Sequence, residues 1–306
     1  MCTQSVIHGV SWWSIWIVIG IILCLLTFDQ LCRKKGVTAA ANKFYYILGI
    51  VSIVLGFGAA SLVQSVYNFI ETKEWSWGGV TFMGGLYGGM ITFVLGALLL
   101  AKGKVRSQFG LVANVAAPCI PVAHAFGRIG CFAVGCCYGA EVREGDFFSA
   151  FGIMMHQHNG AGEIIKSVNR YPTQLFEAIF LLILAAVLIY FAIKDKKINV
   201  IVYLASYAVF RFLLEFLRAD ERGSIGTSAL SPSQVLSIVS IIVAAALIVI
   251  KLLAKYKPEA AGKVMRFFRL DDESCGITEM SAQASAEQSA ETEGCTEEKN
   301  NKNEPN

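Results

Sequence analysis

Long apolar runs with few or no charges recur along this chain, separated by short polar segments. Seven of them approach the ~20 residues that a helix needs to cross a bilayer. They are Trp12 to Phe28, Phe44 to Ile70, a stretch within Trp75 to Ala101, Gln108 to Phe126, Pro172 to Ile193, Ile198 to Leu217, and a stretch within Ser231 to Ile250. In lipid each backbone N–H and C=O must be satisfied inside the protein, so these spans are read as helices. The predicted fold class is therefore all-α: a polytopic membrane protein of about seven transmembrane helices. The longest stretch between spans, about Cys131 to Tyr171, is read as a small extracytoplasmic head. No internal repeat is evident, so an inverted-repeat transporter gains no support.

Composition agrees with this pattern. Of 306 residues, 55 % are apolar and 16 % charged, against about 25 % charged in soluble domains. Mean hydropathy is +0.55. A disordered chain and a disulfide-stapled mini-protein are excluded. The formal net charge of +3 hides a partition. Residues 1–270 carry 24 Lys/Arg and 13 Asp/Glu, whereas 271–306 carry 2 and 10. The first part is read as one membrane domain and the second as an acidic, disordered cytoplasmic tail.

Lys and Arg also set orientation, because cytoplasmic loops carry the excess. With the N-terminus outside, 18 of the 26 basic residues fall on the inner side. The expected topology is N-out and C-in, in the cell (inner/plasma) membrane. No basic region precedes Trp12, so no cleaved signal peptide is expected. No nucleic-acid partner is expected either.

Few charges remain inside the spans, and each needs a partner or a ligand. The densest signal is Gly127-Arg128-Ile129-Gly130-Cys131-Phe132-Ala133-Val134-Gly135-Cys136-Cys137-Tyr138-Gly139. It places an arginine among glycines where the fourth span meets the outer interface. Gly127 and Gly130 let a backbone or headgroup approach closely, and a guanidinium offers paired hydrogen bonds to phosphate. A snorkelling arginine beside a turn is the plainer alternative.

The sixth span holds Tyr203, Tyr207, Arg211, Glu215 and Arg218. At 3.6 residues per turn a continuous helix would put these on one stripe. An Arg211–Glu215 pair would neutralise itself; an anionic-ligand site accounts for more of the stripe. In Arg170-Tyr171-Pro172-Thr173-Gln174-Leu175-Phe176-Glu177, Gln174 and Glu177 share the first turn of the fifth span. Glu177 needs a partner there, with Arg128 and the sixth-span arginines as candidates. Gly84-Gly85 and Gly88-Gly89 form small-xxx-small pairs, which serve tight helix packing or a flat surface for a headgroup.

Cys131, Cys136 and Cys137, with Cys119 and His124 upstream, admit three readings: buried apolar thiols, a disulfide, or metal ligation. Their spacing matches no standard zinc pattern, and no metal or cofactor is expected. His156 and His158 lie in the head, where they could bind metal adventitiously.

Taken together, these motifs resemble the prolipoprotein diacylglyceryl transferase family, across roughly residues 12–253. That family's G-R-x-G-N-F-x-N-x-E-x-x-G signature is matched at Gly127, Arg128, Gly130, Phe132, Gly135 and Gly139. Its P-[ST]-Q-L-[YF]-E segment is Pro172 to Glu177. Its Y-x-x-x-R-F-x-x-E-x-x-R stripe is Tyr207, Arg211, Phe212, Glu215 and Arg218.

The resemblance implies a seven-span, N-out enzyme. It would move the diacylglyceryl group of phosphatidylglycerol onto the lipobox cysteine of a prolipoprotein signal peptide, among membrane lipids. It further implies that Arg128 and Arg211 serve catalysis by contacting the phosphate. Gly84, Gly85, Gly127, Gly130, Gln174, Glu177, Tyr207, Glu215 and Arg218 would line the substrate site. The chain departs from the family at Cys131, Val134 and Cys136, which replace Asn, Asn and Glu. It departs again at Met83, which stands before Gly84-Gly85 where the family usually has histidine.

The nucleophile must be a thiolate, and methionine cannot accept its proton. His124, one helical turn before Arg128, is the candidate replacement base. Two rival readings stay open at this stage: a non-catalytic or thiol-redox protein on the same scaffold, and a lipid or anion transporter.

Overall fold

The computed structural model describes residues 6–7, 10–77, 81–143, 145, 149–158, 164–218 and 231–256. Two short strands, β1 (Val6–Ile7) and β2 (Val10–Ser11), pair antiparallel before the first helix. The helices are α1 (Trp12–Lys34), α2 (Ala39–Thr72), α3 (Phe82–Leu100), α4 (Gly103–Ser107), α5 (Phe109–Ala116) and α6 (Cys119–Ala133). After them come β3 (Ile153–His158), β4 (Ile164–Arg170), α7 (Thr173–Ile193), α8 (Asn199–Leu214) and α9 (Pro232–Tyr256). The chain is an all-α polytopic membrane protein with two small antiparallel hairpins among the described residues.

Six helical stretches among the described residues are long and apolar enough to cross a membrane. They are Trp12–Lys34, Ala39–Ile70, Phe109–Ala133, Thr173–Ile193, Asn199–Leu217 and Ser233–Leu253. The remaining expected span, the third, is represented by the shorter apolar helix Gly84–Leu100. The acidic segment 271–306 lies outside the described residues, as do the side chains of His156 and His158 and that of Met83.

Two sequence-based boundaries move. The fourth span was expected to end near Phe126, but helix continues to Ala133 after a break at Ala117-Pro118. Proline at 118 lacks the N–H that would continue the ladder, so the chain starts a new helix there. Arg128 is consequently inside a helix rather than in a turn, and the stretch between spans begins after residue 133. The second change concerns Arg218. Helix α8 ends at Leu214 and tightens into a 3₁₀ turn, Glu215–Leu217, after which Arg218 is extended. Tight 3₁₀ turns are common at helix ends, and this one takes Arg218 off the Tyr203–Tyr207–Arg211 stripe.

The chain divides into two compact units, Met1–Leu31 with Ala113–Val249, and Cys32–Val112 with Ile250–Asn306. In the second unit, α2 and α3 cross through glycines. A Cβ added at Gly56 would lie 2.9 Å from the Gly85 carbonyl oxygen, and one at Gly84 would lie 2.9 Å from the Val63 Cβ. One added at Gly88 would collide with the Ala59 Cβ. Where one α2–α3 polar contact forms, it joins Thr81 to Gln64, the hydroxyl donating at 2.8 Å.

In the first unit α1 runs against α6. Gly20 faces Phe126 and Ala123, while Gly130 faces Trp16 and Trp13. This pairing shows the two helices to be antiparallel. Further along the chain, Leu184, Leu188 and Tyr203 form a core between α7 and α8, with Phe180 and Tyr207 packed on it. The β3–β4 hairpin is antiparallel, pairing Ile153 with Arg170 and Met155 with Val168.

Candidate functional site

The first unit gathers the charged side chains that the spans retain. His124 and Arg128, one turn apart on α6, are both buried, and so is Glu177 on the first turns of α7. Tyr207 and Arg211 follow each other by one turn on α8, and Arg211 is only 1 % exposed. The spacing of four residues explains each pair's shared face. It does not explain their convergence, which comes from the packing of α6, α7 and α8.

Glu177 is the hub. Its Oε2 lies 3.0 Å from Arg128 Nε and its Oε1 lies 3.5 Å from His124 Nε2. Tyr207 donates its hydroxyl to Oε1 at 2.9 Å. Arg211 is also within electrostatic range of this carboxylate. The His124 ring meets Tyr207 edge-on at 5.2 Å, and Tyr207 stacks on Tyr203. Arg128 is thus the partner that the sequence required for Glu177.

Arg211 pairs with Glu215 at 2.7 Å and donates from its other terminal nitrogen to Ser233 Oγ at 2.9 Å. Among the described residues its buried Nε has no hydrogen-bond partner. The self-neutralising Arg211–Glu215 pair is therefore real, yet it does not exhaust the guanidinium's five donors. Leaving a buried donor unmade is unfavourable by about 1–3 kcal/mol. A ligand with acceptor oxygens would relieve that cost.

Ser233 was missed in the sequence reading. Its signal was the Ser231-Pro232-Ser233-Gln234 segment. There Gln234 accepts from the Ser231 N–H at 3.0 Å and its own N–H donates to Ser231 Oγ at 3.2 Å. That is a capping box, which fixes the start of α9 and so the position of Ser233.

The glycines separate into two kinds. At Gly127 an added Cβ would meet nothing within 4 Å, so α6 leaves open space beside Arg128. At Gly130 it would press on Trp16 and Trp13, a packing contact. Gly84 and Gly85 belong to the other unit, in the α2–α3 crossing already described.

Helix α6 ends in a Schellman arrangement. Gly135 adopts φ +67°, Cys136 N–H donates to Cys131 O at 3.0 Å, and Gly135 N–H donates to Phe132 O at 3.1 Å. The loop that follows is clamped by α7. Gln174 donates to Cys136 O at 2.7 Å and Thr173 to Cys137 O at 3.1 Å. Gln174 thereby holds the loop with its nitrogen, while its buried Oε1 has no hydrogen-bond partner among the described residues. Gly139 sits where the backbones meet: its N–H donates to Tyr171 O at 2.8 Å, and Ala140 N–H donates to Leu217 O at 2.9 Å. A Cβ there would lie 2.6 Å from the Leu217 carbonyl oxygen, so only glycine fits. Arg218 bridges to Gly139 through its backbone, away from the Arg128–Glu177 cluster's helical stripe.

The arrangement offers two buried guanidiniums, a carboxylate hub, an imidazole and a phenol at the junction of three helices. It suits binding a phosphate or other anion that arrives from lipid, and proton transfer beside it.

Comparison with known proteins gives a consistent result. The sequence model of the family described as "Prolipoprotein diacylglyceryl transferase" matches residues 4–250. A Clostridium tetani protein named phosphatidylglycerol–prolipoprotein diacylglyceryl transferase is 30 % identical over 230 residues, covering 74 % of this chain and 87 % of the relative. A Clostridium perfringens protein of the same name, numbered 2, is 31 % identical over 226 residues, covering 72 % and 82 %. A Campylobacter hominis relative of that name is 28 % identical over 250 residues, covering 76 % and 84 %.

Proposed function

The chain belongs to the prolipoprotein diacylglyceryl transferase family, and from that premise we propose the reaction and the residues that perform it. The chain transfers the diacylglyceryl group of phosphatidylglycerol to the lipobox cysteine thiol of a prolipoprotein signal peptide, releasing glycerol phosphate. The site opens toward the extracytoplasmic side, with the N-terminus outside. The observation that carries this reading is the Arg128–Glu177–Tyr207 hub with Arg211 beside it, buried at the junction of α6, α7 and α8.

The chemistry needs three things: a thiolate, an in-line approach to the glyceryl carbon, and positive charge on the leaving phosphate. Arg128 and Arg211 supply the charge. Glu177, Tyr207 and Glu215 hold the guanidiniums in place, since an arginine fixed by partners loses little freedom on meeting phosphate. The open space at Gly127 admits the headgroup beside Arg128. Gln174 and Arg218 set the rim by tying the 134–140 loop to α7 and the end of α8. His124 takes the thiol proton, standing in for the histidine absent at Met83.

The test is to incubate purified protein with phosphatidylglycerol and a lipobox peptide and to read the peptide by mass spectrometry. The expected result is a diacylglyceryl increment that disappears in Arg128→Ala and Arg211→Ala. A wild-type protein that leaves the peptide unmodified, or a full increment in both variants, overturns the reading. A His124→Ala protein with full activity removes His124 as the base.

A further inference from the structure

The reaction above leaves one cluster unused. The Sγ atoms of Cys131, Cys136 and Cys137 all lie within 4.8 Å of one another, and no disulfide joins them. Cys131 is buried in the last turn of α6, and the other two are half-buried in the loop that follows. Three features bring the thiols together. The Schellman turn at Gly135 folds Cys136 back over the end of α6. Cys137 takes φ +61°, a left-handed backbone that non-glycine residues rarely adopt. Gln174 and Thr173 then clamp the carbonyls of Cys136 and Cys137 from below. Local strain held by neighbouring elements is typical of a site built for a purpose.

Three thiolates around one point are the donor set of a soft or borderline d10 cation. With Zn–S near 2.3 Å, tetrahedral geometry sets S···S at about 3.8 Å, so the thiols need to close by only about 1 Å. Among the described residues no fourth Cys, His, Asp or Glu joins this group. Three protein ligands among the described residues, with the fourth position left to a substrate, are the pattern of a catalytic rather than a structural zinc site.

We propose that Cys131, Cys136 and Cys137 bind one thiophilic divalent cation of the Zn²⁺ type, whose fourth position takes the acceptor cysteine thiol. This deepens the transferase reading and rests on it. The acceptor thiol would give its proton to water as its sulfur binds the cation. Its sulfur lone pair then forms the C–S bond to the glyceryl carbon while the C–O bond breaks, and the electron pair leaves with the glycerol phosphate. The neutral thioether is a poor ligand and departs. The cation thereby eases loss of the thiol proton, which water relays to His124, the base of the proposed reaction. His124 and Cys131 are seven residues apart on one helix, a rise of about 10 Å.

The test uses the full-length protein, reduced and in detergent, titrated with Cd²⁺ alone. One ion per chain is expected, with thiolate-to-metal charge-transfer absorption. That absorption falls by about a third in each of Cys131→Ser, Cys136→Ser and Cys137→Ser, and affinity falls by about tenfold or more, because metal binding needs every deprotonated ligand. A chain with the other six cysteines changed to serine keeps the full signal. Cys136→Ser and Cys137→Ser lie in the loop and spare the helix, so they decide the matter if Cys131→Ser misfolds. Absence of stoichiometric binding, or a full signal in the Cys136→Ser, Cys137→Ser double variant, overturns the site.

The transferase assay is run in parallel with a zinc chelator and with added Zn²⁺. Loss on chelation and recovery with Zn²⁺ supports the acceptor-thiol role. Stoichiometric metal with activity unchanged by chelation overturns that role and leaves the transferase reading intact. Stoichiometric metal in a wild-type protein without any transfer overturns the transferase reading, and the thiol-docking role with it.

Discussion

The α2–α3 crossing and the α6–α7–α8 junction are both helix contacts made in an apolar setting, yet they are built on opposite principles. The first removes side chains until backbones touch: Gly56, Gly84 and Gly88 leave no room for a Cβ. The second fills its centre with groups that an apolar environment disfavours, and pairs the charges among them against one another. Lipid gives no hydrophobic push between helices, so close van der Waals packing must supply the first contact. The second is held by ion pairs and hydrogen bonds that fail together if one member is removed. Packing is therefore local and forgiving of chemistry, whereas the polar junction is unforgiving and is where ligand chemistry is available.

The contrast can be broken by substitution, and the largest effect belongs to Glu177. Replacing it with leucine leaves Arg128 buried without its carboxylate, a loss of about 3–5 kcal/mol by analogy with other buried pairs. Glu177→Leu is expected to lower the unfolding temperature in detergent sharply and to abolish transfer. A protein of wild-type stability would show that the hub is not structurally coupled.

Gly139→Ala comes next, because its Cβ would lie 2.6 Å from the Leu217 carbonyl oxygen and 2.8 Å from both Thr173 Cγ2 and Tyr171 Cβ. Loss of about 1–3 kcal/mol is expected, read by thermal unfolding, together with looser clamping of the cysteine loop. Gly88→Val should cost a similar amount through overpacking of the α2–α3 crossing. It should leave phosphatidylglycerol binding by the folded fraction unchanged; weakened binding would mean that this crossing contributes to the ligand site.

Arg211→Lys keeps the charge but loses the fork that reaches both Glu215 and Ser233. A fall in transfer rate of about tenfold, with little change in stability, is expected if the fork also meets phosphate. Equal loss from Arg211→Lys and Arg211→Ala would assign the effect to geometry, and no loss would remove Arg211 from the chemistry. The smallest effect is expected at Gly127. Gly127→Ala gains up to about 1 kcal/mol of helix propensity at an uncrowded position. It should raise the KM for phosphatidylglycerol if the headgroup occupies that space.

Much of this was legible in the residues. Apolar runs of bilayer length located the long helices, and the small-residue pairs at Gly84/Gly88 foretold the tight crossing. The pairing of Glu177 with Arg128 was foreseen as one option, because a lone carboxylate in a span must find a cation. Other features were not legible. The extension of helix to Ala133 beyond the break at Pro118 was not read from the residues, and the 3₁₀ turn at Glu215–Leu217 took Arg218 off its expected stripe. Ser233 reads in sequence as an ordinary residue of a helix start, and only folding brings it to Arg211.

The sequence by itself determined the class of molecule and the inventory of groups available for chemistry, because hydropathy and charge are properties of residues one at a time. It also determined which neighbours along one helix share a face, since the 3.6-residue turn is local. Only the tertiary structure decided which carboxylate serves which arginine, and which glycine is packing and which is space. Those outcomes depend on distances between segments far apart in the chain, and such distances are set by how whole helices and loops pack, not by any residue's own preference.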